Sequence, residues 1–359
     1  MHRRPTVLLG MSGGVDSSVA ALLLVNQGYA VHGVTLQVWE HEDEAVAASK
    51  RWQERGCCKV GIARFVAQRL GISHDVIDTR ESFKRHVIDD FVGAYLEGTT
   101  PNPCVRCNER VKLKSLIDIA DKRGFDYVAT GHYAQIVREP KGLALHCAVD
   151  HRKDQSYFLY RMDPTWLPRI LFPLGERLKA DVWKEAEKLD LPAEELKESQ
   201  EICFVSHGDY RTFLLQQAPG IQKPGKMIDQ EGRILGDHAG IAFYTPGQRR
   251  GLGVATGERL YVQRLEAQRN LVVLGTERDL YSDECEVADL NLLDPDLMGK
   301  VAGADVKYRY ATAPSYAQLA PHGGNFLRVR FDQPQRALTP GQSAVFYQGT
   351  RVLGGGIIR

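Results

Sequence analysis

The first part of the chain alternates short apolar runs with longer segments in which apolar residues return at helical spacing. Val7 to Leu9 is continuously apolar, the pattern of a strand buried on both faces. Asp16 to Asn26 has helical spacing and meets a stop at Gly28. The order then repeats. Strands are predicted over Ala30–Val38, His74–Ile77 and Tyr127–Thr130, and helices over Cys58–Leu70, Phe83–Leu96 and Glu109–Arg123, with Gly71 and Gly124 as stops. Strands that alternate with helices predict an α/β fold, a parallel sheet with helices on both faces. Ligands of such sheets bind beyond the carboxyl ends of the strands. The turn after Leu9, Leu36 and Gly131 all fall there. A helix over Lys179–Leu189 leads into Glu198–Val205, where the run around Cys203 predicts a short strand.

From about Asp209 the pattern changes. A helix over Asp209–Gln217 is followed by short strands punctuated by Gly and Pro, among them Lys226–Ile228, Arg233–Leu235, Leu271–Leu274, Glu286–Leu290, Phe326–Phe331 and Ser343–Tyr347. This is the texture of small barrels or open sheets. The expected organisation is a catalytic domain over 1–207, a central β-rich domain over 208–280 and a barrel-like domain over 281–359.

Composition narrows this further. With 43% hydrophobic residues among 359, the chain has material for two or three cores. Its net charge of +1 provides no bulk attraction for nucleic acid, so any RNA contact must come from local patches. Arg249-Arg250 and Lys307-Tyr-Arg-Tyr310 are such patches, the second with aromatic rings on which bases can stack; the isolated Arg328 and Arg330 read as solvated strand faces. No apolar segment is long enough for a signal peptide or a membrane span, so a cytoplasmic protein is expected. In that reducing setting the seven cysteines are reactive, metal-binding or buried rather than paired for stability. Trp39–Gly56 is charged without apolar period and reads as a mobile loop, and Cys57-Cys58 as an incidental pair at a helix start.

The sharpest chemistry lies in the first strand-to-helix turn, Gly10, Met11, Ser12, Gly13, Gly14, Val15, Asp16 and Ser17. Glycines let the backbone take positive φ and approach a ligand, and the helix N-terminus beyond them favours an anion. No Lys follows the glycines as a Walker loop requires, and the dinucleotide spacing is absent. A second feature is Glu97–Asn108, a turn-rich loop stiffened by Pro101 and Pro103 that presents Cys104 and Cys107 as Cys-x-x-Cys just ahead of a helix. Arg106 and Arg110 beside them, with the helix start, favour the thiolate.

The turn Ser12-Gly-Gly-Val-Asp-Ser17 resembles the signature of the PP-loop ATP pyrophosphatases, in which ATP activates a substrate oxygen by adenylation. Further segments extend the likeness over nearly the whole chain: Thr100-Pro-Asn-Pro-Cys-Val-Arg-Cys-Asn108, Ala129-Thr-Gly-His-Tyr-Ala134, Lys153-Asp-Gln-Ser-Tyr-Phe-Leu-Tyr160, Ser199-Gln-Glu-Ile-Cys-Phe204, Tyr244-Thr-Pro-Gly-Gln248 and Tyr308-Arg-Tyr310. With these the chain resembles the bacterial tRNA-specific 2-thiouridylases, which replace the C2 oxygen of the wobble uridine by sulfur. The resemblance implies that Gly10 to Ser17, Leu36 and Gly131 bind ATP with Mg2+. It implies that Asn102, Pro103 and Cys104 surround the flipped target base, and that His132, Lys153, Asp154, Gln155, Arg309, Tyr310 and Gln342 contact tRNA. Cys203 would carry a persulfide supplied by a sulfur-donor protein, with Cys107 as its partner. The commoner family pattern has Asp at the position of Cys104. The extra thiol leaves two readings open, a [4Fe–4S] cluster on Cys104, Cys107 and Cys203 or a persulfide relay. The rival enzymatic reading is another adenylating PP-loop enzyme of lysidine or amidating type, which needs no cysteine pair.

Overall fold

The computed structural model describes residues 3–39, 59–191, 202–205, 209–255 and 257–359. The loop expected over Trp39–Gly56, apart from Trp39 itself, lies outside the described residues together with Cys57 and Cys58. The chain forms two compact units: Met1–Val87, Cys104–Gly208 and Thr350–Val352 make one, and Ile88–Pro103, Asp209–Gly349 and Leu353–Arg359 the other.

In the first unit, β1 (Thr6–Gly10), β2 (Ala30–Gln37), β3 (Ser73–Asp78) and β4 (Tyr127–Thr130) are joined, beyond a hairpin of β5 (Ala134–Glu139) and β6 (Gly142–Cys147), by β7 (Ile170–Leu171). The strand order is β3-β2-β1-β4-β7, parallel throughout, with Leu8 opposite His32 on one side and Val128 on the other. The apolar run of β1 follows from this central place, since Val7, Leu8 and Leu9 are fully buried. Helices α1 (Val15–Asn26) and α2 (Val60–Leu70) pack with the helix Lys179–Glu187 in a core that holds Val7, Leu9, Val19, Leu24, Ile62, Val66 and Val182. Lys114–Arg123, burying Leu116, Ile117 and Ala120, packs on β1 and β4. Both faces are covered, as the alternation predicts. Full burial of a Leu here is worth about 2 kcal/mol, and Leu9→Ala is expected to cost about 2–5 kcal/mol in chemical denaturation.

Two helical runs contain π-helical stretches: Arg80–Phe83, Lys84–Ile88 and Asp89–Leu96 follow one another, as do Pro103–Arg106, Cys107–Leu113 and Lys114–Arg123, the middle segment being π in each. The helix expected from Glu109 therefore begins at Pro103. Proline is suited to the first helical position, where its missing N–H costs nothing and its φ is preset. The prolines that read as loop stiffeners include a helix starter, and Cys104 and Cys107 stand in the helix rather than ahead of it.

In the second unit, Asp89–Leu96 pairs with Tyr210–Gln217 through Phe91 on Phe213 (6.1 Å between centroids) and Tyr95 stacked on Tyr210 (5.1 Å). A four-stranded sheet contains β8 (Gly225–Ile228), β9 (Ile234–His238), β10 (Tyr261–Glu266) and β11 (Leu271–Gly275) in the order β10-β11-β8-β9. A barrel follows from β12 (Tyr281–Leu292), β13 (Ala302–Lys307), β14 (Ser315–Pro321), β15 (Leu327–Arg336), β16 (Ser343–Gln348) and β17 (Arg351–Ile358). Its order is β12-β15-β14-β13-β16-β17, closed by pairing of β12 with β17. Strict alternation along β15 sends Leu327, Val329 and Phe331 inward and leaves Arg328 and Arg330 in solvent, as read from the sequence. Among the described residues no helix is long and apolar enough to cross a membrane.

Candidate active site

Strand β1 ends at Gly10 and α1 starts at Val15, so the glycine turn spans the carboxyl end of the central strand. Its backbone is anchored on β2: the Met11 N–H donates to Val34 O (2.8 Å) and the Thr35 hydroxyl donates to Met11 O (2.7 Å). Met11, Val15 and Leu36 are buried, which leaves main chain and hydroxyls to meet a ligand. Of the three glycines expected to take positive φ, Gly13 does (+75°), while Gly14 is extended at the N-cap and Gly10 completes the strand. A Cβ on Gly13 would also stand 2.1 Å from Lys59 O. Gly13→Ala is therefore expected to lower stability by about 3 kcal/mol or more and to abolish nucleotide binding, read by thermal denaturation and ATP titration. Gly14 offers no side-chain cap to α1. The first-turn N–H groups of a helix lack intrahelical partners, and here no capping side chain competes with an anion for them. Ser17 and Ser18 donate their hydroxyls to Gly14 O (3.1 and 2.9 Å), and the Ser12 N–H donates to Ser17 Oγ (3.2 Å). Gly131, at the end of β4, packs directly on this loop, since a Cβ there would lie 2.8–3.1 Å from the Asp16 and Ser17 main chain.

Asp16 is gripped by groups that sequence reasoning did not single out. Its Oδ1 accepts from Lys179 Nζ (2.7 Å) and from the Tyr133 hydroxyl (2.8 Å). The Lys179 ammonium lies 5.6 Å from the Tyr133 ring centroid and 5.5 Å from that of Trp183. Lys179 is itself buried. A buried ammonium is costly unless paired, and a carboxylate with two aromatic faces offsets that cost. Tyr133 adjoins the Gly131-His132 motif and could have been suspected; nothing in the spacing around Lys179 signals its partner.

The thiols gather in the same unit. Cys104 and Cys107 are one helical turn apart, Cys104 open to solvent and Cys107 buried. Cys203 is exposed on a turn, closed by the Val205 N–H donating to Ile202 O (3.0 Å), instead of the predicted strand. The turn is pinned because Phe204 is buried edge-on against Phe83 (5.7 Å) and Trp39 (6.4 Å). The apolar run around Cys203 thus reports the burial of Phe204, and the cysteine itself points outward.

Burial pushes the Cys107 thiol up to about 12; the Lys112 ammonium opposes this, and the neighbouring Cys203 and Cys104 add to it. Burial likewise raises Cys104, with Lys112 opposing and Cys203 adding. Cys104 has surface open to solvent yet dense protein around it, a combination that suits the wall of a recess. These mutual fields place all three thiols in one neighbourhood. They also correct the expectation of acidified thiols. Arg106 and Arg161 are engaged with Glu109 (3.2 and 2.8 Å), and desolvation outweighs the positive charge that remains. Cys107 is thus a neutral thiol near pH 7. Its alkylation is expected to be negligible at pH 7–8 and to rise towards about pH 12, while exposed Cys203 reacts first; mass spectrometry of iodoacetamide-treated protein reads both.

His132 follows Gly131, which packs on the loop Gly10–Ser17, and the Lys112 charge bears on it as it does on Cys104 and Cys107. Burial lowers its pKa to about 3, so it is neutral, and its Nδ1 bonds the Thr130 hydroxyl (2.8 Å). Asp154 is turned inward, accepting from the Ala148 N–H (2.9 Å) and the Ser156 hydroxyl (2.7 Å). Gln155 Oε1 accepts from the Tyr133 N–H (3.0 Å), and Lys153 is half-buried. In the second unit, Asn102 is half-buried and Pro103 buried. Arg309 donates to Thr339 Oγ1 (2.9 Å), Tyr310 is exposed with Lys307 5.1 Å from its ring centroid, and Gln342 donates to Thr100 O (2.8 Å).

Among the described residues, no group of three or more His, Cys, Asp or Glu side chains gathers closely enough to hold a metal ion. A [4Fe–4S] cluster on Cys104, Cys107 and Cys203 is thus not shown.

The parallel sheet and the anion-ready turn define an α/β phosphate-binding domain, which also holds the three cysteines, joined to β domains. Residues 5–207 match the family model described as tRNA methyl transferase HUP domain, residues 211–276 its PRC-barrel domain and residues 282–358 the aminomethyltransferase beta-barrel domain. The chain is 45% identical to tRNA-specific 2-thiouridylase MnmA 2 of Caldanaerobacter subterraneus, covering 100% of this chain and 99% of the relative. It is 45% identical to the MnmA of Carboxydothermus hydrogenoformans (99% and 98% covered) and 44% identical to that of Acetivibrio thermocellus (98% and 99%). The chain belongs to the tRNA-specific 2-thiouridylase family, and it is a tRNA sulfurtransferase built on a PP-loop domain.

Proposed function

We propose that the protein thiolates C2 of the wobble uridine by adenylating its oxygen and transferring sulfur from a persulfide on Cys203. The observation that carries this reading is the shared neighbourhood of Cys104, Cys107 and Cys203, linked through Lys112 and His132 to the loop Gly10–Ser17. A lysidine or amidating enzyme has no use for such a set of thiols. ATP would bind at the turn Gly10–Ser17 through the N–H groups of α1, and a Mg2+ carried with it would supply charge neutralisation. Asn102, Pro103 and Cys104 line the pocket for the flipped base, and His132, Lys153, Gln155, Arg309 and Tyr310 belong to the tRNA-facing set, with Asp154 shaping the turn that carries two of them and Gln342 holding the backbone of Thr100 and Pro101.

The uridine carbonyl needs activation because oxide is a hopeless leaving group. Attack of the C2 oxygen on the α-phosphorus forms an O–P bond and expels pyrophosphate. The outer sulfur of the Cys203 persulfide, placed there by a donor protein, then attacks C2, and AMP leaves with the former uridine oxygen. Cys107 attacks the Cys203 sulfur, forming a Cys107–Cys203 disulfide and releasing the 2-thiouridine. In the alternative order Cys107 attacks the persulfide first, and the sulfide released adds to C2. Either route oxidises the cysteine pair, so a thiol reductant restores it each turnover. The neutral Cys107 must lose its proton before it attacks, and Lys112 is the charge that favours the thiolate.

The test supplies purified protein, a tRNA transcript, ATP, Mg2+, a persulfide donor and a thiol reductant. Formation of 2-thiouridine with stoichiometric AMP and pyrophosphate is expected from colourless, iron-free protein. Activity that appears only after iron and sulfide are loaded would overturn the persulfide relay.

A further inference from the structure

The segment between β15 and β16 does more than connect two barrel strands. It supplies hydrogen bonds to Thr100 and Pro101, which lie between the helices Asp89–Leu96 and Pro103–Arg106 and belong to no helix or strand. The Thr100 N–H donates to Pro340 O (2.8 Å). Gln342 Nε2 donates to Thr100 O (2.8 Å) and Pro101 O (3.3 Å). Between them Gly341 has φ +93°, and a Cβ on it would stand 2.7–2.9 Å from the Thr100 main chain. The contact is backbone on backbone and leaves no room for a side chain.

The other end of the segment is also fixed. Ala337 holds φ +53°, a left-handed conformation unusual for alanine. Its carbonyl accepts from Arg309 Nη2 and from the Thr339 hydroxyl (2.8 Å), and Arg309 Nη2 also donates to Thr339 Oγ1 (2.9 Å). Thr339 is buried. Behind this, the Gly341 N–H donates to Ile358 O (2.9 Å) and the Ile358 N–H to Gln342 O (2.9 Å), tying the segment to β17.

We infer that Ala337–Gln342 is a positioning strap: Gly341 and Gln342 set the backbone of the loop that carries Asn102 and Pro103, and Arg309 anchors the strap's far end. The link to base placement rests on the function proposed above; the hold on Thr100 does not. Gln342 acts on the substrate by fixing the loop, and its amide protons are already committed to two carbonyls. A nucleic-acid phosphate drawn to Arg309 meets a guanidinium that also holds the strap, so that residue joins the RNA-facing surface to the loop.

The test compares wild type with Gln342→Ala, Gln342→Glu and Gly341→Ala. Hydrogen exchange of the tRNA-free protein is followed by mass spectrometry on peptides covering residues 97–103. Loss of the Gln342 bonds is expected to speed exchange at Thr100 by roughly fivefold or more, with peptides of the loop Gly10–Ser17 unchanged. Gln342→Glu, which sets a carboxylate against two carbonyls, is expected to exchange at least as fast as the alanine variant. In steady-state thiolation kcat is expected to fall about tenfold while KM for tRNA moves less than about threefold. Unchanged exchange in Gln342→Ala, or a defect confined to KM, would overturn the strap. Altered exchange in protein whose wild type makes no 2-thiouridine would uphold the strap and overturn the functional reading instead. Should Gly341→Ala fail to fold, the two Gln342 variants decide alone.

Discussion

Cys203→Ser is expected to abolish 2-thiouridine formation while leaving the fold and the ATP half-reaction in place. The Cys203 side chain is exposed, and the turn that presents it is pinned by the buried Phe204 ring. Replacing Sγ by Oγ at such a position should change stability by less than about 0.5 kcal/mol. Serine cannot carry a persulfide, so thiolation should fall by on the order of 10³-fold or more, the scale of losing a covalent nucleophile. Release of pyrophosphate on tRNA and ATP should persist, because adenylation uses the turn Gly10–Ser17 and not the thiol. Cys107→Ser separates the remaining steps: before tRNA is added such protein should carry a 32-Da adduct on Cys203, about the mass of one sulfur atom, and with tRNA and ATP it should stall without turnover, disulfide-linked to tRNA in the direct route or still carrying the adduct in the alternative order. Normal 2-thiouridine from Cys203→Ser would remove the assignment.

The second large effect is expected at Lys179. Its ammonium and the Tyr133 hydroxyl share Asp16 Oδ1, and the Tyr133 and Trp183 rings flank the ammonium. Lys179→Ala leaves Asp16 with one of these two donors and opens a space between the rings. Because the Asp16 side chain is itself about one-third exposed (36%), solvent recovers part of the loss, and destabilisation of about 1–3 kcal/mol is expected. The effect on chemistry should exceed that. Asp16 stands in the first turn of α1, where the phosphates are proposed to bind, and releasing its carboxylate loosens that turn. A loss on the order of 10²-fold in tRNA-dependent pyrophosphate release is expected, with Tyr133→Phe milder because the ammonium remains. Full pyrophosphate release by Lys179→Ala would show that the grip on Asp16 is structural only.

How far the sequence could anticipate this depends on how local each signal is. The parallel sheet and its covering helices were legible because β1 and β2 are buried runs and α1, α2 and Lys114–Arg123 each end on a glycine stop or close to one. The glycine turn was legible because phosphate binding by main chain leaves a compact spacing. The hairpin Ala134–Cys147 and the strands β13 and β14 were not marked out, since partly exposed strands carry short and ambiguous alternation, and β17 was not because its buried run is interrupted by Gly354, Gly355 and Gly356. The start of the helix at Pro103 was missed because proline serves both loops and first turns. The thiols could be singled out in the sequence by their motifs, but their protonation could not. Neighbouring arginines are visible in sequence, whereas the burial that outweighs them, and Glu109 with Arg161 that engages Arg106, arise only in the folded chain. Lys179 on Asp16 and Gln342 on Thr100 are contacts between distant segments, and no local period encodes them.

The central claim is that ATP activates the very oxygen that sulfur replaces, and oxygen labelling tests it most directly. A tRNA carrying 18O at C2 of the wobble uridine is thiolated in one turnover with unlabelled ATP, and the AMP is weighed. The account predicts AMP heavier by one 18O for each 2-thiouridine formed, with none of the label in pyrophosphate. Unlabelled AMP alongside 2-thiouridine would contradict it.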